Sequence, residues 1–208
     1  MSQKKAKANS ILSPENYIRQ RARSLPLYEC MVNSDWEVTK IVNVIVSRRH
    51  TTGNFTVGLY LADLFCQGIK DTHFYFNLSK DEYSSFRKRV TTNQPIEIVS
   101  YVLAHNIIFA AHEFAGECGL DSHPDFTGIT QYILEEDSDN IELVDIECGE
   151  EGTPVFIATP GQSLLQVQRK LARLDKNIGP GNYKVVYHTD DYPYDSDNEI
   201  TDDDNEDL

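Results

Sequence analysis

Lys40-Ile-Val-Asn-Val-Ile-Val-Ser-Arg48, then His50-Thr-Thr-Gly-Asn54, then Phe55-Thr-Val-Gly-Leu-Tyr-Leu-Ala-Asp-Leu-Phe65 form two apolar runs around a turn. β-Branched residues dominate the first run and favour a pleated strand. The link supplies Gly53 and Asn54, which tolerate positive φ. The second run returns as a strand, so the three pieces predict a β-hairpin. Upstream, Leu27 to Val32 reads as a further strand. Downstream, Asp71 to Leu78, with Phe74, Tyr75 and Phe76 in a row, fits either a strand or a helix.

The helices are announced by their ends. Ser13-Pro14-Glu15 puts an N-cap before a proline at the first helical position and predicts a short basic helix from Glu15 to Arg23. Ser79-Lys-Asp-Glu82 has the form of a capping box and opens a helix to about Val90. Ile98 to Cys118 reads as the longest helix, stopped by Gly119. Ser122-His-Pro-Asp125 repeats the start signal for a helix to Leu134. Ile141 to Glu147 and Pro154 to Thr159 read as two strands joined around Gly149 and Gly152. Ser163 to Lys176 is an amphipathic helix, and Tyr183 to His188 a last strand after the turn Gly179-Pro-Gly-Asn182. Segregated runs of this kind predict an α+β fold with a mainly antiparallel sheet and several helices, in one domain over 26–188.

Charge divides the chain of 208 residues, whose formal net charge is −14. Residues 189–208 hold ten acids and no base, and read as a disordered, solvating tail. Residues 1–25 form a basic arm with Lys4, Lys5, Lys7, Arg19, Arg21 and Arg23 against Glu15. With Arg48 and Arg49 beside the hairpin turn, Arg19, Arg21 and Arg23 could build a phosphate-contacting surface, which makes nucleic acid a possible partner. The alternative is a solvated basic segment. The opening residues lack the apolar core of a secretory signal, and no run approaches the roughly 20 apolar residues of a spanning helix. Cys30, Cys66, Cys118 and Cys148 form no C-x-x-C pair. Reduced thiols, a cytoplasmic location and no membrane partner are therefore expected.

Two constellations carry chemistry. Asp63 lies inside an apolar run, where an unpaired carboxylate is costly, so it should sit at a strand end or be paired, with Lys70 or Lys40 available. Asp63 and Cys66 with His105, or with His112 in its place, could form a hydrolase-type site in which the histidine generates a thiolate. The alternative is a buried structural cysteine beside an aspartate that caps the next turn. His105 and His112, seven residues apart, project from one helix face about 10 Å apart along its axis. That is too far to share one ion, but His112, Cys118 and His123 could converge around Gly119 on a zinc ion. The alternative is hydrogen-bonded histidines at the rim of the core.

The order of several short motifs resembles that of an uncharacterised conserved bacterial protein family with no assigned activity. The pieces are Arg21-Ala-Arg-Ser-Leu-Pro26 with Glu29, Cys30 and Trp36; Gly58-Leu-Tyr-Leu-Ala-Asp63 running into Cys66-Gln-Gly-Ile-Lys-Asp71; Ala104-His-Asn-Ile-Ile108; His123-Pro-Asp-Phe126; and Gly179-Pro-Gly-Asn-Tyr183. The resemblance implies a single cytoplasmic module, with residues 1–20 and the acidic tail as appendages, and brings no catalytic residue. With no complete catalytic signature in the chain, the leading expectation is a non-enzymatic interaction module for a protein or RNA–protein partner. A hydrolase using Asp63, Cys66 and a histidine, or a metal near His112 and His123, is the alternative.

Overall fold

The hairpin at residues 41–63 is the centre of a five-stranded sheet. In the computed structural model, which describes residues 12–159 and 161–187, strands β1 (Leu27–Asn33), β2 (Ile41–Arg49), β3 (Phe55–Asp63), β4 (Gly68–Leu78) and β5 (Ile96–Val99) pair antiparallel in the order β4-β3-β2-β1-β5. The expected α+β fold is therefore found. The acidic run 189–208 and Lys4, Lys5 and Lys7 lie outside the described residues. Helices α1 (Pro14–Arg21), α2 (Trp36–Thr39), α3 (Lys80–Asn93), α4 (Tyr101–Glu117), α5 (Pro124–Gly128) and α6 (Leu164–Asn177) surround the sheet.

Strand alternation sends successive side chains to opposite faces, and here both faces are covered. Val42, Val44, Val46, Tyr60 and Ala62 face α4, where Ala104, Ile107, Ile108 and Ala111 complete the main core. Met31, Ile45, Phe55 and Val57 point the other way, onto Tyr83 and Phe86 of α3. Burial on both faces explains why β2 is apolar nearly throughout. Ile18 of α1 and the following Ala22 are fully buried in the main core, so residues 14–24 belong to the packed body rather than to a separate arm.

A third cluster holds the far end. Strands β6 (Val155–Ala158) and β7 (Lys184–Tyr187) are parallel neighbours, connected through α6. Phe156, Ala158, Val167 and Leu174 of this unit pack on Cys66, Ala115 and Cys118. It is tied to the β3–β4 turn by the Val155 amide, which donates to the Phe65 carbonyl at 3.1 Å.

Three expectations need correction. The helix expected to run to Leu134 stops at Gly128 as α5, and a separate 3-10 helix follows over Thr130–Ile133. Residues 141–147 have no regular secondary structure and join no sheet, so the hairpin around Gly149 and Gly152 is not formed by strands. The Asn106 side chain takes the place of a strand partner, donating to the Glu142 carbonyl at 3.0 Å and accepting from the Val144 amide at 3.1 Å. The long helix starts at Tyr101 with Ser100 as N-cap, and Ile96–Val99 is strand β5. The ambiguous 71–78 is part of β4.

Candidate functional site

β3 ends in Asp63, and a tight turn leads at once into β4. Asp63 is fully buried, and its Oδ1 accepts the amides of Phe65, Cys66 and Gln67 at 2.9, 3.1 and 3.3 Å. The carboxylate thus caps a turn whose N–H groups point inward with no strand to bond. Its Oδ2 has no hydrogen bond, and meets Lys70 Nζ as an ion pair at 3.6 Å. Asp63 is both at a strand end and paired, and what it holds is backbone rather than a histidine.

Gly68 makes the next step possible. Its φ of +68° is left-handed, and a Cβ there would sit 2.6 Å from Ser122 Oγ and 2.8 Å from Ala115 Cβ. With no side chain in the way, β4 begins hard against the end of α4. That end is a Schellman turn, with the Gly119 amide on the Gly116 carbonyl and the Leu120 amide on the Ala115 carbonyl. The chain then turns back, and the Ser122 hydroxyl accepts the Ile69 amide at 3.0 Å and meets His112 Nδ1 at 2.9 Å. Ser122 is therefore not the cap of α5. His123 is, its Nδ1 accepting the Asp125 amide.

These pieces and one face of α6 enclose a cleft of about 300 Å³. Gln67, Lys70, Asp121, Ser122, His123, Gln162, Lys170 and Arg173 bring its polar groups. Gln67 is fixed at both ends of its amide: Nε2 donates to the Ile157 carbonyl at 2.9 Å, and Oε1 accepts from Lys170 Nζ at 2.7 Å. Arg173 is half-exposed and paired with Asp121 at 2.5 Å. Of the three cations, Lys70 is offset by Asp63 and Arg173 by Asp121. Lys170 has no carboxylate within ion-pair reach among the described residues, so the cleft carries one unmatched positive charge. Burial, then the charge of Lys70, lower the Lys170 pKa from its ordinary value; Arg173 adds to this, while Asp63 opposes it. A carbonyl oxygen of Gln67 favours the ammonium far less than a carboxylate would.

The residues singled out from sequence are dispersed. Cys66 is fully buried and donates its thiol to the Val155 carbonyl at 3.3 Å. Burial, with the Asp63 charge, pushes that thiol far above the ordinary range, so it stays protonated. His105 packs in the main core, stacked on Phe109, with Nε2 3.4 Å from the Glu135 carbonyl and Nδ1 4.0 Å from Asp137. Asp63, Cys66 and His105 therefore do not assemble into a nucleophile–base pair. His112 turns to Ser122, Cys118 packs against the α6 unit, and His123 caps α5. Among the described residues no three His, Cys, Asp or Glu side chains gather to hold a metal ion, so the zinc arrangement over His112, Cys118 and His123 is not formed.

The basic front end has a different use. Arg48 is buried, with 1% of its surface exposed. Its guanidinium donates to the carbonyls of Arg23, Leu25 and Ile133, and pairs with Glu135 at 2.7 Å. Arg19 donates to the Gly128 carbonyl at 2.8 Å, and Arg23 to the Leu134 carbonyl at 2.6 Å and to Glu136. Three of the five arginines expected to contact phosphate instead pin the segment 128–136 against the sheet. Arg21 and Arg49 remain exposed, Arg49 with its guanidinium 6.0 Å from the Phe55 ring centre.

Comparison with protein-family models, with curated proteins and with solved structures finds no match to this chain. Its function is therefore read from the geometry alone. Among the described residues no helix is long and apolar enough to cross a membrane.

Proposed function

We propose that the protein is a non-enzymatic interaction module that docks a protein partner through a carboxylate seated in the cleft between Lys70, Lys170 and Arg173. The observation that carries this reading is the unmatched charge of Lys170: a half-buried ammonium, held by a neutral side chain, in a concave site on an otherwise acidic chain. A carboxylate entering there would complete its ion pair. Gln67 and Ser122, both fixed by backbone contacts, add polar groups that need no reorganisation. A protein partner is favoured over an RNA–protein one because Arg19, Arg23 and Arg48 are engaged with carbonyls of the fold. The reading takes the protein as cytoplasmic, in keeping with four free cysteines.

The test is fluorescence anisotropy with a labelled glutamate-rich peptide, a neutral peptide of equal length, and a single-stranded RNA. The acidic peptide should bind, and binding should be lost in the double variant Lys170→Gln, Arg173→Gln, with thermal melting as the check on folding. Equal binding by the double variant, or binding of RNA alone, would refute the reading.

A further inference from the structure

Lys170 has a chemistry that charge recognition alone does not use. Its Nζ is placed by one strong acceptor, Gln67 Oε1 at 2.7 Å, and lies over the Phe156 ring, 5.8 Å from the ring centre. Lys70 and Arg173 line the same cleft, so the amine sits among like charges. The titratable groups around it are Lys70 and Asp63 from the β3–β4 region, Cys66 from the turn, Arg173 one turn along α6, and Asp121 and His123 from the segment after α4 that lines the same cleft. A desolvated lysine beside a second cation is the arrangement that frees an amine for attack on carbonyl carbon.

We propose that Lys170 is a nucleophilic amine that captures a small carbonyl-bearing anion of the 2-oxo acid class as a reversible imine. Arg173 receives the carboxylate of that anion by giving up its pair with Asp121, which is 78% exposed, and Lys70, held by the buried Asp63, adds its charge from the same cleft. The proposal rests on the reading of the cleft as a carboxylate receptor, and adds a covalent step to it. The ammonium first gives a proton to solvent. The free amine then attacks the carbonyl carbon, forming the C–N bond while the oxygen takes up a proton. Loss of one water from the carbinolamine leaves C=N, with no net oxidation or reduction, and hydrolysis runs the same steps backwards. Lys70 is less suited to the attack because it is held in an ion pair with the buried Asp63 at 3.6 Å. Burial of Lys170 and the charge of Lys70 act in the favourable direction by raising the free-amine fraction near neutral pH.

The experiment uses the full chain with glyoxylate and cyanoborohydride, which supplies hydride and reduces any imine to a stable carboxymethyl-amine. Adducts are located by peptide mass mapping. The expected result is one dominant adduct on Lys170, formed at least about tenfold faster than on the average lysine, because only the unprotonated amine attacks. Lys170→Arg should abolish it while retaining binding of the glutamate-rich peptide, because the charge remains and the nucleophile is gone. Sulfate should slow the labelling, and propanal, which lacks a carboxylate, should label Lys170 far more slowly. Adducts spread evenly over the lysines, or none at Lys170, would overturn the proposal even where peptide binding succeeds. An adduct indifferent to sulfate and formed equally well by propanal would overturn the role of Lys70 and Arg173 as the carboxylate receptor.

Discussion

Replacing Arg48 with Met should cost this protein much of its stability, although the sequence places Arg48 beside a surface turn. The wild-type guanidinium serves four acceptors: the carbonyls of Arg23, Leu25 and Ile133, and the Glu135 carboxylate. Hydrogen bonds from a charged donor are worth about 1.5–3 kcal/mol each. A simple sum over four would exceed the cost of breaking a buried pair, because methionine keeps the apolar stem buried and Glu135 can return to water. A loss of about 3–5 kcal/mol is the reasoned figure. Against a total of about 5–15 kcal/mol for a typical domain, that is a large part. In urea, with a slope of about 2 kcal/mol per molar, the unfolding midpoint should fall by roughly 2 M. Arg49→Met is the control, since Arg49 is exposed and its ring contact contributes about 0.5–1 kcal/mol at most. A midpoint for Arg48→Met within about 0.5 M of the control would refute the view of Arg48 as the clamp that holds 23–25 and 133–135 to the sheet.

Other outcomes follow from the same contacts. Gly68→Ala combines a left-handed φ with a Cβ 2.6 Å from Ser122 Oγ, and should cost about 2–3 kcal/mol, read by thermal melting; an unchanged melting temperature would mean that β4 does not need to lie so close to α4. Burial pushes the thiol of Cys30 up to about 12, and those of Cys118 and Cys148 up to about 11, with Cys66 higher still. A disulfide reagent at mild alkaline pH should therefore react slowly with native protein and rapidly with all four thiols after denaturation; fast native reaction would contradict it. Burial also lowers the pKa of His105 and His112. The unfolded chain then binds more protons, so their contribution to stability is present above the ordinary histidine value of about 6.5 and is lost as pH falls below it. The melting temperature should drop from about pH 7.5 to about pH 5.5, and an unchanged or higher value would refute this assignment.

Local signals in the sequence are reliable where the backbone itself decides. The hairpin at 41–63, the capping box at Ser79, the amphipathic helix from Ser163 and the glycine stop after α4 all depend on near neighbours. β5 is hidden because Ile96–Val99 continues the apolar pattern of α4, although Ser100 marks the boundary. Residues 141–147 carry Ile141, Leu143, Val144 and Ile146, yet Leu143 is 88% exposed and Asn106 satisfies the backbone that a strand partner would have met. Arg48 and Arg49 look alike in sequence. Alternation along β2 separates them, since Arg48 shares the face of Val42, Val44 and Val46. The cleft is beyond local reading: Lys170 and Gln67 are 103 residues apart, and Asp121 meets Arg173 across 52. Only Asp63 hints at it, as a carboxylate too buried to stand without a cation.

The most direct measurement is a two-dimensional amide NMR titration of the full chain with the glutamate-rich peptide. The account requires shifts concentrated at Gln67–Lys70, at residues 120–124 and on the Lys170–Arg173 turn of α6, saturating together with one affinity. Shifts centred on Arg21, Arg49 or the α3 face instead, or none at saturating peptide, would contradict it.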